Sequence, residues 1–447
     1  MTGSVNLSVH ARLLLLSRND DWLHGLGESL DRLGLRTLSV HDSEAARLAL
    51  GDIAIEAVLV EDDAEATAEL AEALRQAALP RRAPIILMRR DGNHVIPDGW
   101  DMVFTQDAHP QQIVLSVEHM VRACVAEEEF DTRCQTFNIS GNTSDFLEES
   151  GEPISLLSVG KPDPEFLALT HDLRQRGIEV TAAISSYSAF DYLHDKNFDV
   201  VLLWGDNQPA EALSIASGMR RNTRLYHTPV LLRLNKTDEL DLGDAYLRGV
   251  NDIANPKAGV TEIGDRLMRL ARGHRRQATI RKTLEAMRKK PEMDKATGLF
   301  GRDLFAAHLA RLSQAATARN RPLSICVLRI AETPEIVRAR QKRILDRAVP
   351  QIGSMIARLV RAEDSGGRLS NDVFALALPA TTLEAARNVG ERIAAVVGCT
   401  AFDSGGGKPP YVVEFDVGAA QIRDGEPAAE ALMRAASAIH GSSRAAV

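Results

Sequence analysis

The sequence predicts an α/β protein with two tandem parallel-sheet domains followed by a third α/β domain of different design. A length of 447 residues exceeds what one hydrophobic core supports, and about 150 residues per domain suggests three domains. Residues 1–126 and 153–273 each alternate short apolar segments with amphipathic ones, the pattern of a doubly wound sheet. From residue 294 onward the order of strand-like and helix-like segments changes.

The first two domains are predicted to contain five strands each, separated by helices such as Trp22–Leu33. The strands expected in the first are Arg12–Leu16, Arg36–Val40, Ala57–Val60, Pro84–Met88 and Met102–Thr105. Those expected in the second are Ile154–Val159, Glu179–Ala183, Val200–Trp204, Pro229–Leu234 and Asp252–Ala254. Both sets indicate flavodoxin-like sheets, and the repeat indicates two copies of one fold.

Two segments are predicted to join the domains. Residues 127–152 begin with the acidic run Glu127–Glu129 and continue with polar residues, which is typical of a linker. Residues 274–293 are predicted to be a helical linker within a longer helical pattern over 262–290. The apolar positions of that pattern are Ile263, Leu267, Leu270, Ile280, Leu284 and Met287. This stripe could pair with a second copy of itself, and a homodimer is expected.

The third domain, residues 294–447, is predicted to alternate helices with strands around one hairpin. The helices expected are Arg302–Leu312, Ile344–Val360, Leu383–Val397 and Ala428–Ile439. The strands expected are Ser324–Ile330, Val412–Ala420 and the two that flank a turn at Ser370–Asp372.

Composition excludes several classes of function. The net charge of −8 and the pI near 5.9 argue against a nucleic-acid partner. The longest early apolar run, Leu13–Leu16, is far too short for a signal core or a membrane span. The four cysteines lack the spacing of a zinc site. We therefore expect a cytoplasmic protein without direct membrane insertion.

The tandem repeat resembles the receiver domains of response regulators. That resemblance implies an acidic pair after strand one and an Asp after strand three, which together bind Mg²⁺ and accept a phosphoryl group. It also implies a Thr or Ser and a Lys that hold the phosphate oxygens. The first domain has Ser17 and Arg18 at the acidic pair, Glu61 at the phosphoacceptor, Arg89 at the Thr position and Gln106 at the Lys position. It is therefore predicted to lack phosphorylation chemistry.

Two interpretations of Glu61 remain open at this point. Glu61 and the adjacent Asp62 either form an exposed strand end, which we favour, or retain an acceptor if the register is shifted by one. In the second domain Trp204 takes the acceptor position and is expected to fill the pocket. Gly160 and Lys161 stand at the acidic pair, and Asn255 replaces the Lys.

The third domain resembles the GGDEF, or diguanylate cyclase, family over its whole length. The resemblance is based on three segments: DKATGLFGR (294–302), RAEDSGGRLSNDVFALALP (361–379) and ALMRAASAIHGSS (431–443). The signature turn is occupied by Ser370, Asn371, Asp372, Val373 and Phe374, so both of the family's glycines are missing. The loss of those glycines obstructs close approach of phosphate to the backbone.

Further substitutions predict that cyclase chemistry and metal binding are absent. The resemblance places Arg329 at the first metal carboxylate, and an arginine there would repel Mg²⁺. Val373 replaces the second acidic residue of the signature, and Val337 stands at a guanine-reading position. Asp346 is retained, but without these partners Asp346 and Asp372 are expected to be ordinary surface carboxylates.

The product-binding RxxD motif of the family is intact. Arg361 and Asp364 precede Ser370 at the family's spacing, and Arg392 matches a second arginine that completes the site across a domain pair. A guanidinium can donate to guanine O6 and N7 and pair with phosphate, whereas a carboxylate can accept from guanine N1–H and N2–H₂. The resemblance thus implies cyclic di-GMP as ligand; the alternative is a structural Arg–Asp ion pair.

The sequence therefore predicts a receptor for cyclic di-GMP that is not an enzyme. The resemblance to a cell-cycle effector of the receiver–receiver–GGDEF lineage implies recruitment of protein partners. These would include a polar localisation factor and an AAA+ protease for which the chain acts as an adaptor at a cell pole. Two alternatives remain: a diguanylate cyclase, active alone or in a heterodimer, and a receiver-domain scaffold that ignores nucleotide.

Overall fold

The computed structural model describes residues 12–63, 66–90, 94–139, 152–205, 209–234, 240–254, 257–404 and 409–442. Three five-stranded sheets divide these residues, one for each predicted domain. The predicted α/β fold class is confirmed.

The first sheet is parallel, with the strand order β2-β1-β3-β4-β5 of a flavodoxin-like domain. Its strands are β1 (Arg12–Leu16), β2 (Arg36–Val40), β3 (Ala57–Glu61), β4 (Ile85–Arg89) and β5 (Met102–Thr105). Its helices are α1 (Asp20–Arg32), α2 (Ser43–Asp52), α3 (Ala68–Ala78) and α4 (Pro110–Thr136). Leu13–Leu16 and all of β3 are buried, because helices cover both faces of the sheet.

The second sheet repeats this order with β7-β6-β8-β9-β10. Its strands are β6 (Ser155–Val159), β7 (Glu179–Ala183), β8 (Val200–Trp204), β9 (Val230–Arg233) and β10 (Asp252–Ala254). Its helices are α5 (Pro164–Gln175), α6 (Ser186–Asp195), α7 (Pro209–Arg221), α8 (Leu242–Leu247) and α9 (Val260–Met287).

The third sheet is mixed, with the order β11-β13-β14-β12-β15 and antiparallel pairs except between β11 and β13. Its strands are β11 (Phe300–Gly301), β12 (Leu323–Ile330), β13 (Ser365–Arg368), β14 (Val373–Pro379) and β15 (Phe415–Gln421). Its helices are α10 (Arg302–Ala318), α11 (Pro334–Gln341), α12 (Leu345–Leu359), α13 (Leu383–Gly398) and α14 (Ala428–Ser442). The sequence analysis did not predict α11.

Helix α4 corrects the predicted linker at 127–152. The helix continues without a break through the acidic run to Thr136, so the predicted boundary at residue 126 falls inside it. Ala126, Phe130 and Cys134 lie on its buried face, and Glu127–Glu129 are buried as well. Residues 140–151 of the predicted linker lie outside the described residues.

Contrary to the sequence prediction, the apolar stripe of helix α9 does not pair with a second copy, because it is buried within the chain. Ile263 and Leu267 pack into the core of the second sheet. Ile280, Leu284 and Met287 pack against the buried face of α4 instead. The stripe is therefore used within the chain and does not support the expected homodimer. Although α4 and α9 are long, no helix in the described ranges is apolar enough to cross a bilayer.

Candidate functional site

The RxxD motif forms a tight turn between α12 and β13. Asp364 N–H donates to the Arg361 carbonyl at 3.2 Å, and the Asp364 carboxylate accepts from Arg361 N–H at 2.9 Å. The side chain therefore closes the turn from inside, as short acidic side chains often do. The Arg361 side chain is half-buried.

The RxxD motif predicts a carboxylate that is accessible to a ligand, but the structure buries the Asp364 side chain. The residue is only 3% exposed. Burial, together with the neighbouring Glu363 and Glu129 carboxylates, raises the pKa of Asp364 to about 7. Because the carboxylate faces inward, a guanine cannot reach it in this arrangement.

Arg392 lies beside the same turn in its own chain. It projects from α13, is exposed, and donates to the Leu359 carbonyl at 3.0 Å. Leu359 ends α12 two residues before Arg361. The expectation that this arginine approaches from a neighbouring copy is thus not needed to bring Arg361, Asp364 and Arg392 together.

Arg133 of α4 covers the RxxD turn from the side of the first domain. Its guanidinium donates to the Ala362 carbonyl at 3.0 Å, the Asp364 carbonyl at 2.9 Å and the Ser365 hydroxyl at 3.0 Å. Ala362 also packs against the apolar cluster shared by α4 and α9. Sequence reasoning missed Arg133 because residues 127–152 were predicted to be a linker.

Glu128 and Glu129 of the acidic run hold α4 to the third domain, and we call Glu127–Glu129 with their basic partners the acidic clasp. Glu129 accepts from Arg133 Nε at 2.7 Å and lies 3.0 Å from His308 Nε2 of α10. Burial alone would raise the pKa of Glu129, but His308 and Arg133 lower it below its ordinary value. The Ser365 hydroxyl donates to the same carboxylate at 3.0 Å.

A second part of the clasp lies at Arg321, just before β12. Its guanidinium pairs with Glu56 of the first domain at 2.6 Å and also with Glu128. All three residues are buried. Arg81 adds a bond between domains by donating to the Arg319 carbonyl at 2.9 Å.

Asp364→Asn is expected to gain stability relative to the native chain as pH rises from about 4 to about 7. With a pKa near 7 when folded and near 4 when unfolded, Asp364 takes up a proton on folding in that window. Its contribution to the free energy of unfolding is therefore full below pH 4 and is lost as pH rises through 7, by at most about 1.4 kcal/mol per pH unit. Denaturant titrations of both proteins at pH 5 and pH 8 measure this difference, and a pH-independent difference contradicts the burial of an ionisable group here.

The signature turn is occupied by ion pairs. Ser370 and Asn371 are exposed between β13 and β14, Val373 is half-buried and Phe374 is buried in the core. Asp372 is partly exposed and pairs with Arg340 of α11 at 3.0 Å. Asp346 is exposed.

The expected metal position is likewise taken by a guanidinium. Arg329 pairs with Asp416 of β15 at 2.9 Å. Within the described ranges, no group of three histidine, cysteine, aspartate or glutamate side chains is placed to hold a metal ion.

Glu61 of the first domain is a buried residue, which corrects the interpretation as an exposed strand end. It is 3% exposed and accepts from Ser17 Oγ, from Arg90 Nη2 at 2.7 Å and from Gln106 at 3.3 Å. The positions expected to surround a phosphoacceptor therefore do meet, but with an arginine neutralising the carboxylate. Asp62 is only partly exposed and faces Arg89 at 3.5 Å.

Trp204 of the second domain occupies the space of an acidic pocket. A Cβ at Gly160 would lie 2.6 Å from the Trp204 side chain, so a side chain at that acidic-pair position would collide with the indole. Trp204 Nε1 donates to Ser158 at 3.1 Å, and Arg233 stacks on the ring at 5.4 Å. Asn255 lies outside the described residues.

The chain is similar to known proteins mainly through its third domain. Residues 292–444, about a third of the chain, match the model of the family described as "Diguanylate cyclase, GGDEF domain". The response regulator PleD of Caulobacter vibrioides, strain NA1000, is 24% identical over 238 residues, 53% of this chain and 52% of PleD. The PleD of a second strain of that species matches equally. The chain thus spans about half the length of the curated relatives it matches.

Solved GGDEF structures also match. The GGDEF domain of DgcB from Caulobacter crescentus in complex with c-di-GMP is 20% identical, with a TM-score of 0.33. The match covers 35% of this chain and 90% of that one. Diguanylate cyclase SiaD from Pseudomonas aeruginosa, in complex with its activator SiaC, is 25% identical with a TM-score of 0.33, covering 40% and 69%.

Proposed function

We propose that the chain is a catalytically inactive receptor for cyclic di-GMP. The observation that carries this proposal is that Arg361 and Asp364 form one turn, with Arg392 bonded to Leu359 beside it, in a domain that matches the GGDEF family. Two guanidinium groups and one carboxylate are the chemistry that a guanine edge and its phosphate require.

The arrangement around the signature turn supports the absence of catalysis. Condensation of two GTP molecules needs carboxylates that are free to hold Mg²⁺. In this chain Arg329 engages Asp416 and Arg340 engages Asp372, so positive charge stands where the metal would lie.

Neither the native chain nor Arg361→Ala is expected to form cyclic di-GMP from GTP and Mg²⁺. The variant matters because an active cyclase with an intact RxxD site could be silenced by its own product. Chromatography of nucleotides after prolonged incubation measures the product. Formation of cyclic di-GMP by either protein would establish the alternative, a diguanylate cyclase.

The two receiver-like domains are proposed to act as interaction modules. Their acceptor positions hold Glu61, which is neutralised by Arg90, and Trp204, which fills its pocket. Ligand binding would then control recruitment of protein partners, with polar localisation and delivery of substrates to an AAA+ protease as the specific proposal. A homodimer remains part of this proposal and would need a surface other than the α9 stripe.

A further inference from the structure

We propose that α4 of the first domain gates the cyclic di-GMP site, because the acidic clasp holds the RxxD turn closed and must open before ligand binds. This inference rests on the proposed function and adds its regulation. The first domain then controls the site by packing instead of by phosphorylation.

The first observation is the closed state of the turn. The Asp364 carboxylate is bonded to Arg361 N–H inside the turn, and Asp364 is almost completely buried. Arg133 meanwhile occupies the carbonyls of Ala362 and Asp364 from the α4 side. A guanine that pairs with both Arg361 and Asp364 must displace at least part of this cover.

The second observation is that the turn is wedged between two helices. Ala362 packs against the apolar cluster that Phe130 of α4 and Leu284 of α9 belong to. Arg288 of α9 donates to the Ala357 carbonyl at 2.7 Å, shortly before the turn. Movement of the turn therefore requires movement of α4, α9 or both, since packed side chains leave little free volume.

The third observation is that the clasp has an anchor outside the ligand site. Arg321 bonds with Glu56, with Glu128 and with the Arg82 carbonyl at 3.2 Å, and none of these groups belongs to the RxxD turn. Glu128 and Glu129 are adjacent on α4, so loosening the anchor should also loosen the cover over the turn. The anchor can thus be changed without changing a ligand contact.

A closed site that must open reduces apparent affinity by the fraction of molecules that are open. Weakening the clasp should raise that fraction and tighten binding, which is the opposite of what loss of a ligand contact does. Arg133→Met removes the cover directly, and Arg321→Met removes the remote anchor.

Titration of cyclic di-GMP into the full-length chain tests the gate. Both Arg133→Met and Arg321→Met are expected to bind about tenfold more tightly than the native chain. Arg32→Met, at an exposed pair with Glu28 on α1, is the matched control and should leave affinity unchanged. Native-like or weaker binding by both clasp variants overturns the gate while the receptor function stands. Absence of binding in the native chain and all variants overturns both.

Hydrogen exchange of the native chain gives a second test that needs no substitution. Saturating cyclic di-GMP is expected to increase exchange in residues 124–136 of α4, because binding selects the open clasp. Unchanged or greater protection of that segment overturns the gate, whether or not the clasp variants fold.

Discussion

Arg361→Ala is expected to lower affinity for cyclic di-GMP by ten- to a hundredfold or more. The substitution removes the group proposed to donate to guanine O6 and N7 and to pair with the phosphate. Each good bidentate contact contributes roughly 1–3 kcal/mol, and 1.4 kcal/mol corresponds to a factor of ten. Equilibrium binding of a fluorescent cyclic di-GMP to both proteins measures the change. Equal affinity would return Arg361 to a structural role.

Two further variants separate the parts of that site. Arg392→Ala should weaken binding while leaving the fold intact, since Arg392 is exposed and bonds to a single carbonyl. Asp364→Ala removes the acceptors for guanine N1–H and N2–H₂ but leaves the phosphate contact.

Binding of cyclic di-GMP should also weaken as the salt concentration is raised, because arginines hold a dianion. Affinity independent of salt would contradict a charge-based site.

Arg321→Met is expected to lower the free energy of unfolding by about 3–5 kcal/mol, the second large effect. It removes the guanidinium that joins the buried Glu56 and Glu128, leaving Arg319 at 3.6 Å as the remaining arginine partner of Glu128. Breaking one side of a buried ion pair typically has this cost. Burial already raises the pKa of Glu128 above its ordinary value, despite the nearby Arg321. Denaturant titration followed by circular dichroism measures the loss.

The physical reason for that loss can be isolated with a compensating variant. Arg321→Met combined with Glu56→Gln and Glu128→Gln removes the uncompensated charges and should recover most of the stability. Arg32→Met, which breaks an exposed pair, should change stability by less than about 0.5 kcal/mol. If Arg321→Met matches Arg32→Met, the clasp contributes nothing to stability.

The sequence was sufficient to predict the sheets because buried parallel strands leave a strong apolar signal. Strands β1, β5 and β8, which are almost entirely buried, begin and end where the pattern predicted. Both receiver-like sheets have the predicted flavodoxin-like order. Helix α11 was missed because it has only eight residues, half of them polar or charged.

The interface between the domains was not predictable by the same rules. Three consecutive glutamates normally indicate a solvated segment, yet here Arg82 and Arg321, both distant in sequence, pair with Glu127 and Glu128, and Arg133 pairs with Glu129 from one turn along the helix. Helical spacing did carry a usable signal, since Ala126, Phe130 and Cys134 recur every four residues and lie on one buried face. A helix through residue 130 could thus have been predicted, but not its arginine partners.

The sequence predicts which residues form the candidate site but not how the site is covered. Arg361 and Asp364 form one turn, and Arg392 bonds to the Leu359 carbonyl two residues before it. Burial of Asp364 depends on α4, which is more than 200 positions away in the sequence, so no local pattern could reveal it. For the same reason Glu61 was interpreted as exposed although Arg90 and Ser17 enclose it.

Calorimetric titration of cyclic di-GMP into the full-length native chain tests the central claim most directly. The account predicts saturable binding that is abolished or strongly weakened by Arg361→Ala, without any turnover of GTP. Absence of saturable heat in the native chain, across a range that would detect micromolar affinity, would contradict it.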